Sequence, residues 1–413
     1  MGNADPDLSP LAHGERLSIL AFAPVPFLSD GAQTFHGGAT VFYSELLPRL
    51  AHLGHRVRVI AEAPPAREGE RRAGLPWEIP NLTVSWFAYE HYSSLSPPTP
   101  VLRARMRSTL RRLLEQHVKE ERPDVVLIGR DLVAPHVLAA CRAHDLPCVL
   151  IAHGVALAAL LRGAYASDLR EELLDSWRSV DGVVSVARHI EAALRSLGVA
   201  RIRTIPNVAD PTRFCPRPKD SRLLRQLDIR PERVVVGHVS VLRPAKRASD
   251  IVEAAALVLR SHPEVVYLVV GDGPCRLEME ELAEQRGTRR SFRFTGAIDH
   301  ERVPEYFGLC DIVVLPSERE GYPFVYRETQ ASGRVLLASD IAPAYEAIVP
   351  DRTGVIFRKG DIADLAEKTM ALVRDPAMRR RIGEEARAAA KEFGAEQWAE
   401  QYAKVLQQVK RET

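Results

Sequence analysis

Two doubly wound α/β domains of the Rossmann-like type are predicted, on three observations. Short apolar runs alternate with helical patterns along the whole chain. Some of these runs, such as Asp311-Ile-Val-Val-Leu315, are apolar on both faces, as parallel strands covered by helices must be. The series also starts afresh after a junction at Pro206–Pro218, where Pro206, Pro211, Pro216 and Pro218 break any regular element. At 413 residues the chain is too long for a single core, which again gives two domains.

The first series reads as strands at Leu17–Ala23, Val57–Ala61, Leu82–Phe87, Asp124–Ile128, Cys148–Ala152, Gly182–Val186 and Ile202–Pro206. The second reads as Val234–Val239, Val265–Val270, Phe292–Thr295, Asp311–Leu315, Val335–Ala338 and Gly354–Phe357. Helical spacing of apolar residues places helices at Gly38–Leu53, Val101–Val118, Ser249–Ser261, Pro274–Arg286 and Asp361–Arg374, among others. The segment Tyr92–Pro100 reads as a mobile surface loop, and the domains are placed at 14–214 and 215–391.

Composition narrows the partners. Apolar residues make up 46 % and charged residues 27 %, with a net charge of +2, so the strong basic excess of a dedicated nucleic-acid binder is missing. Five cysteines, an odd count with no C-x-x-C pair, suit reduced thiols in a cytoplasmic protein better than a disulfide framework or zinc site. The first fifteen residues lack an apolar h-region, so no signal peptide is expected. The longest strongly apolar stretch, near Val155–Leu161, is too short to span a bilayer, while peripheral membrane contact stays open.

In doubly wound folds ligands bind beyond the carboxyl ends of the strands, so those loops are the places to search. Phe35-His-Gly-Gly-Ala-Thr40 follows the first strand and opens a helix. Gly37 and Gly38 let backbone approach a ligand, and the helix start offers N–H groups to an anion; a plain turn is the other reading. Arg243 and Lys246 follow the first strand of the second domain, with Pro244 keeping Arg243 out of helical conformation. Two cations there suit a diphosphate, against ordinary surface charge. Val270-Gly-Asp-Gly-Pro274 reads as an ordinary turn whose Pro274 enters the next helix. His153 ends a first-domain strand, where it either bonds a sugar hydroxyl or phosphate or serves the fold. The helix with Arg103, Arg105, Arg107, Arg111 and Arg112 has apolar residues at helical spacing, so a solvated charged face is favoured over a membrane or acidic-acceptor surface.

The stretch Glu320-Gly-Tyr-Pro-Phe-Val-Tyr-Arg-Glu328 is the most informative. It leaves a buried strand, turns at Gly321 and Pro323, and opens a helix whose first N–H groups, Phe324 and Val325, are without intrahelical acceptors. A carboxylate accepts two hydrogen bonds at once, so Glu328 can clamp a vicinal diol such as a ribose and Glu320 can hold the hydroxyls of a second sugar. Two ordinary surface glutamates are the bland alternative.

This E-x7-E pattern, followed by Ala331, Gly333 and the strand Val335–Ala338, resembles the retaining glycosyltransferases of family 4, which have the GT-B fold of two Rossmann-like domains facing across a cleft. The resemblance takes in Gly37-Gly38, the junction Ile205-Pro-Asn-Val-Ala-Asp210, Arg243 with Lys246, Gly271-Asp-Gly-Pro274 and Asp340. The Leu-Arg-Pro-Ala-Lys-Arg form is similar to members acting on small soluble acceptors, such as the N-acetylglucosaminyl-malate synthases. It implies a first domain that holds the acceptor, a second that holds a nucleotide-sugar donor, and a C-terminal helix at 392–413, centred on Glu396–Val409, returning to the first. Arg243 and Lys246 would bind the diphosphate, Glu328 the ribose, and Glu320 the donor sugar. Gly37, Gly38, Gly271 and the backbone from Gly321 through Tyr322, Pro323, Phe324 and Val325 would assist, and His153 would lie near the reacting carbon.

The family pattern is altered at Asn207-Val208, often Asn-Gly elsewhere, at Ala342-Pro343, often Gly-Gly, and at Tyr322-Pro323, commonly Phe-Gly. These changes bear on acceptor and sugar choice. The chain's one D-x-D, Asp5-Pro-Asp7, lies in the polar N-terminal tail, so no catalytic metal and no cofactor beyond the nucleotide-sugar co-substrate are expected. Configuration would be retained by front-face departure and attack, with the leaving phosphate as base. Rival readings are a sugar-nucleotide epimerase or phosphorylase on the same scaffold, or a non-catalytic nucleotide-sugar-binding protein. The base, the sugar, the acceptor (small molecule or glycan) and the oligomeric state stay open.

Overall fold

The computed structural model describes residues 15–29, 32–34, 37–63, 72–73, 79–88, 98–391 and 394–413. In chain order the strands of the first half are β1 (Ser18–Phe22), β2 (Phe27–Ser29), β3 (Ala32–Thr34), β4 (Arg56–Ala63), β5 (Arg72–Ala73), β6 (Leu82–Ala88), β7 (Val125–Ile128), β8 (Cys148–Ala152), β9 (Gly182–Ser185) and β10 (Ile202–Thr204). Those of the second half are β11 (Val235–Val239), β12 (Val266–Val270), β13 (Phe292–Phe294), β14 (Ile312–Leu315), β15 (Val335–Ser339) and β16 (Val355–Phe357).

A seven-stranded sheet runs β10-β9-β8-β7-β1-β4-β6 and a six-stranded sheet runs β13-β12-β11-β14-β15-β16. Every pairing in them is parallel. The strands read from the sequence are the members of these two sheets. Apolar side chains on both faces explain the central runs: β7, β8, β9, β11, β12, β14 and β15 are buried at every position. A small antiparallel sheet, β3-β2-β5, was not anticipated. Its strands have two or three residues, too few for an alternating pattern to show.

Helix boundaries moved where turn chemistry intervened. The helix expected from Pro274 begins at Arg276, because the N–H of Cys275 goes to the carbonyl of Leu242 and keeps Pro274 in the turn. The basic helix spans Pro100–Glu120 and is capped by Thr99, whose Oγ1 accepts from Leu102 N at 3.3 Å. The loop expected at Tyr92–Pro100 lies outside the described residues as far as residue 97. Arg103 of the basic helix is buried against Asp168 and Glu172, Arg107 meets Glu172 at 3.4 Å, and Arg111 meets Glu115 at 2.8 Å. Much of that face is therefore matched by carboxylates of this chain.

The last helix, Ala395–Glu412, lies on the first sheet. Trp398 and Tyr402 stack edge-on against Phe42 at 5.3 and 5.7 Å, and Lys410 reaches Asp124 at 2.9 Å. The chain thus crosses between the sheets twice, near Ile205–Asp210 and near Gly394. Among the described residues no helix is long and apolar enough to cross a membrane.

Candidate active site

Strand order decides where ligand loops meet. In the first sheet β1 lies between β7 and β4; in the second β11 lies between β14 and β12. The winding reverses at β1/β7 and at β11/β14, and loops leaving a reversal point part and open a crevice. The loop after β1 leads to Gly37, the loop after β11 holds Arg243 and Lys246, and the loop after β14 holds Glu320. The last two are tied by Glu318 N donating to Ala245 O at 2.9 Å.

Lys246 Nζ lies 2.6 Å from Glu320 Oε1, and Ser317 Oγ donates to that same oxygen at 2.6 Å. Ser317 is fully buried, and its carbonyl accepts from Ser339 Oγ, so the carboxylate is held from below by β15. Arg243 is extended and Pro244–Lys246 is a single 3-10 turn, which sets the two cations apart on one short loop. A side chain grown on Gly37 would point to within 4.0 Å of Arg243 Nη2, and one on Gly38 would meet nothing within 4 Å. The first-domain glycine pair and the second-domain arginine therefore face each other across the crevice.

Gly271 supports the cationic loop. At φ 124°, a Cβ there would lie 1.9 Å from the carbonyl of Ser240, so only glycine lets the two loops stack. Leu242 N donates to Asp272 O at 2.9 Å across the same contact. His238 is a support that the sequence reading missed. It is buried in β11, donating through Nδ1 to Val314 O at 2.8 Å and accepting at Nε2 from Ser240 Oγ at 2.7 Å. Burial pushes its pKa down to about 4, so the ring is neutral. A histidine inside an otherwise apolar strand was the available signal.

His153 follows β8 and packs edge-on against Phe42 and Tyr43, with ring centroids at 4.7 and 5.6 Å. Tyr43 has one hydroxyl proton, which goes to Gly129 O at 3.0 Å. His153 Nε2, 3.1 Å from the same hydroxyl, is then the donor, and Nδ1 keeps its lone pair. Burial, with Arg130 adding to it, pushes His153 down to about 4. Beside it Arg130 pairs with Glu62 at 2.6 Å, and buried Asp131 is pushed up to about 7 by loss of solvent. Glu62, Arg130 and Asp131, at the ends of β4 and β7, were not singled out by the sequence reading, whereas His153 was.

The turn after Glu320 touches the other domain. A Cβ on Gly321 would lie 2.1 Å from the carbonyl of His153. The carbonyl of Tyr322 accepts from Asn207 Nδ2 at 2.6 Å, and Arg327 lies 5.6 Å over the Tyr322 ring. That ring faces a cavity of about 360 Å³ on the side where the chain crosses between domains, with Arg188 and Glu346 also on its walls. Among the turn residues, Tyr322 thus directs its side chain to the crossing. Pro323 begins the helix Phe324–Ala331, which has no side-chain cap, so Phe324 and Val325 N–H are without intrahelical acceptors.

Glu328 is only 4 % exposed, which removes the reading of an ordinary surface glutamate. Its Oε1 lies 3.7 Å from His300 Nε2. A narrow cavity beside it is walled by Val41 and Glu45 of the first domain and by Phe214 and His300. Glu45 in turn pairs with Arg213 at 2.6 Å, and Arg213 Nη2 reaches His300 O at 3.3 Å. The structure thus gathers Gly37, Arg243, Lys246 and Glu320, with His153 on the Gly321 turn, and sets Glu328 beside His300 at the narrow cavity between the domains.

Two family models match the chain, one on each domain. Residues 36–213 match the description "Glycosyltransferase Family 4", and residues 220–389 match "Glycosyl transferases group 1". An alpha-D-kanosaminyltransferase of Streptomyces kanamyceticus is 34 % identical over 163 residues, 39 % of this chain and 41 % of that protein. An N-acetyl-alpha-D-glucosaminyl L-malate synthase of Bacillus anthracis is 24 % identical over 390 residues, 91 % of this chain and 95 % of that one. The chain spans less than half the length of the first of these relatives and nearly all of the second. The crystal structure of Anabaena Alr3699/HepE in complex with UDP and glucose shares the fold, with a TM-score of 0.74 at 19 % identity over 95 % of this chain and 99 % of that one. With both domains matched in order and two parallel sheets enclosing one crevice, the chain belongs to the GT-B glycosyltransferases, its first domain of the family 4 type and its second of group 1.

Proposed function

We propose that this chain transfers a sugar, with retention of configuration, from a nucleoside diphosphate sugar to a small soluble acceptor. The observation that carries the reading is the placing of Arg243 opposite Gly37 with the Lys246–Glu320 pair on the same loop system. A diphosphate leaves only when its developing charge is met, and two cations beside a backbone with no side chain in the way suit that task. Arg243 and Lys246 would do this without a metal ion. Glu328 would take the ribose hydroxyls, and Glu320 those of the donor sugar. Neutral His153, donating to Tyr43, would present its other nitrogen or its carbonyl to the sugar. With no carboxylate assigned as nucleophile, the leaving phosphate would serve as base for an acceptor entering on the same face.

The likeness to a protein solved with UDP and glucose supports the donor class, and the relative matched over nearly its full length is named for malate, which supports a small acceptor. The test is a mass-spectrometric screen of nucleotide-sugars for protein-dependent release of nucleoside diphosphate, in excess chelator, without and then with candidate acceptors. Release of a changed sugar nucleotide with no acceptor would instead identify an epimerase. Activity lost in chelator and restored by magnesium or manganese would overturn the metal-free donor site.

A further inference from the structure

The helix Arg188–Ser196 follows β9 in the first domain and has no side-chain cap of its own. Its first N–H groups are instead taken by a residue of the second domain. Glu346, on the helix Ala342–Ala347, accepts from Arg188 N at 2.7 Å through Oε2 and from His189 N at 2.9 Å through Oε1. His189 Nδ1 adds a third contact at 2.8 Å. One carboxylate therefore joins two domains that the chain itself crosses between only at the linker and before the last helix. Burial alone would raise the Glu346 pKa, but the bonds from His189 and the two N–H groups hold it below the usual carboxylate range.

The capped helix leads back to the crevice. Ile190 Cδ1 would lie 2.6 Å from a Cβ on Gly154 and 3.7 Å from one on Gly321. Gly154 follows His153, and Gly321 follows Glu320. A shift of the helix end must move Ile190 against both glycines, and through them alter the separation of His153 and Glu320.

We propose that Glu346 is an interdomain latch, a positioning residue that caps the first-domain helix Arg188–Ser196 and so sets the distance between His153 and Glu320 in the closed enzyme. The link to turnover rests on the proposed function; the link to closure does not. In Glu346→Gln the amide keeps the shape, but its nitrogen faces a backbone N–H instead of accepting from it. Glu346→Ala removes all three contacts.

Two measurements on the full-length protein test the latch. By small-angle X-ray scattering, Glu346→Ala should have a larger radius of gyration than the wild type, with Glu346→Gln between them. With a donor from the screen, kcat should fall roughly ten- to a hundredfold. The Kd for the bare nucleoside diphosphate should stay within about twofold, because Arg243, Lys246 and Glu328 all sit on the second domain. An unchanged radius in both variants overturns the latch, whatever the activity. A Kd that weakens as much as kcat falls also overturns it, since that marks a ligand contact. If the wild type consumes no nucleotide-sugar, the proposed function fails, and the scattering result still decides the latch.

Discussion

Lys246 Nζ and Glu320 Oε1 form a 2.6 Å ion pair, so the cation proposed for the diphosphate and the carboxylate proposed for the sugar are partners of one bond. The pair is partly buried, with side-chain exposures of 22 % and 11 %. Each charge keeps the other from an unpaired, half-desolvated state.

That coupling predicts non-additivity. Lys246→Ala should lower kcat by about two to three orders of magnitude, since it removes charge stabilisation from the transition state. Glu320→Gln alone should also lower it. The double variant should lose clearly less than the product of the two losses, because each single change already breaks the shared bond. Steady-state kinetics on the four proteins checks this; multiplicative losses would show two independent residues.

Glu328 and Glu320 should separate in calorimetric titration. Glu328→Gln keeps size but weakens the acceptor for two ribose hydroxyls, so affinity for the bare nucleoside diphosphate should drop by about tenfold, the scale of one charged hydrogen bond. Glu320→Gln should leave that affinity nearly intact and weaken only the complete donor. The reverse pattern would exchange the two assignments, and no change in either would remove both from the site.

Gly321→Ala should act on the domain interface without unfolding either sheet. The added Cβ would meet the carbonyl of His153 at 2.1 Å, so the turn and the first domain must part. Turnover should fall at least tenfold, in line with misplacement by about an ångström, while the thermal midpoint changes little. Wild-type turnover in this variant would mean that closure at Gly321 is not needed.

Stability should fall with acid. His136, His153 and His238 are each held at about 4 in the folded chain, with burial as the main cause, against the ordinary histidine value of 6.5. For such groups the unfolded chain binds the extra proton, so their stabilisation is present above about 6.5 and is lost as pH falls towards 4. Asp131, raised to about 7, has the opposite sign: its share is present at low pH and is lost as pH rises to 7. Three groups against one leave a net loss of roughly 1–3 kcal/mol per pH unit between about 6 and 4.5. Urea unfolding at pH 7 and pH 5 measures it, and Asp131→Asn should make the fall steeper. A flat profile would mean that these histidines titrate normally.

The sequence by itself determined the two sheets, because a strand buried on both faces needs a local run of apolar residues and nothing else. It also marked Gly37, Arg243, Lys246 and Glu320, since each sits just past such a run or opens the next helix. The tertiary structure alone decided how they combine. Lys246 and Glu320 pair across 74 positions, and Glu346 caps a helix 158 positions away, through contacts that exist only after loops from different strands are brought together. Gly321 shows the limit most clearly. Its backbone is not in the left-handed region, so nothing local calls for glycine there; the requirement comes from the carbonyl of His153 in the opposite domain. The E-x7-E spacing marks Glu328 too, with a surface glutamate as the alternative; its burial comes from outside its own segment, where the helix Gly38–His52 of the first domain closes beside it. Local pattern reports what a segment buries against its own sheet, while burial against another domain depends on the closure of the whole fold.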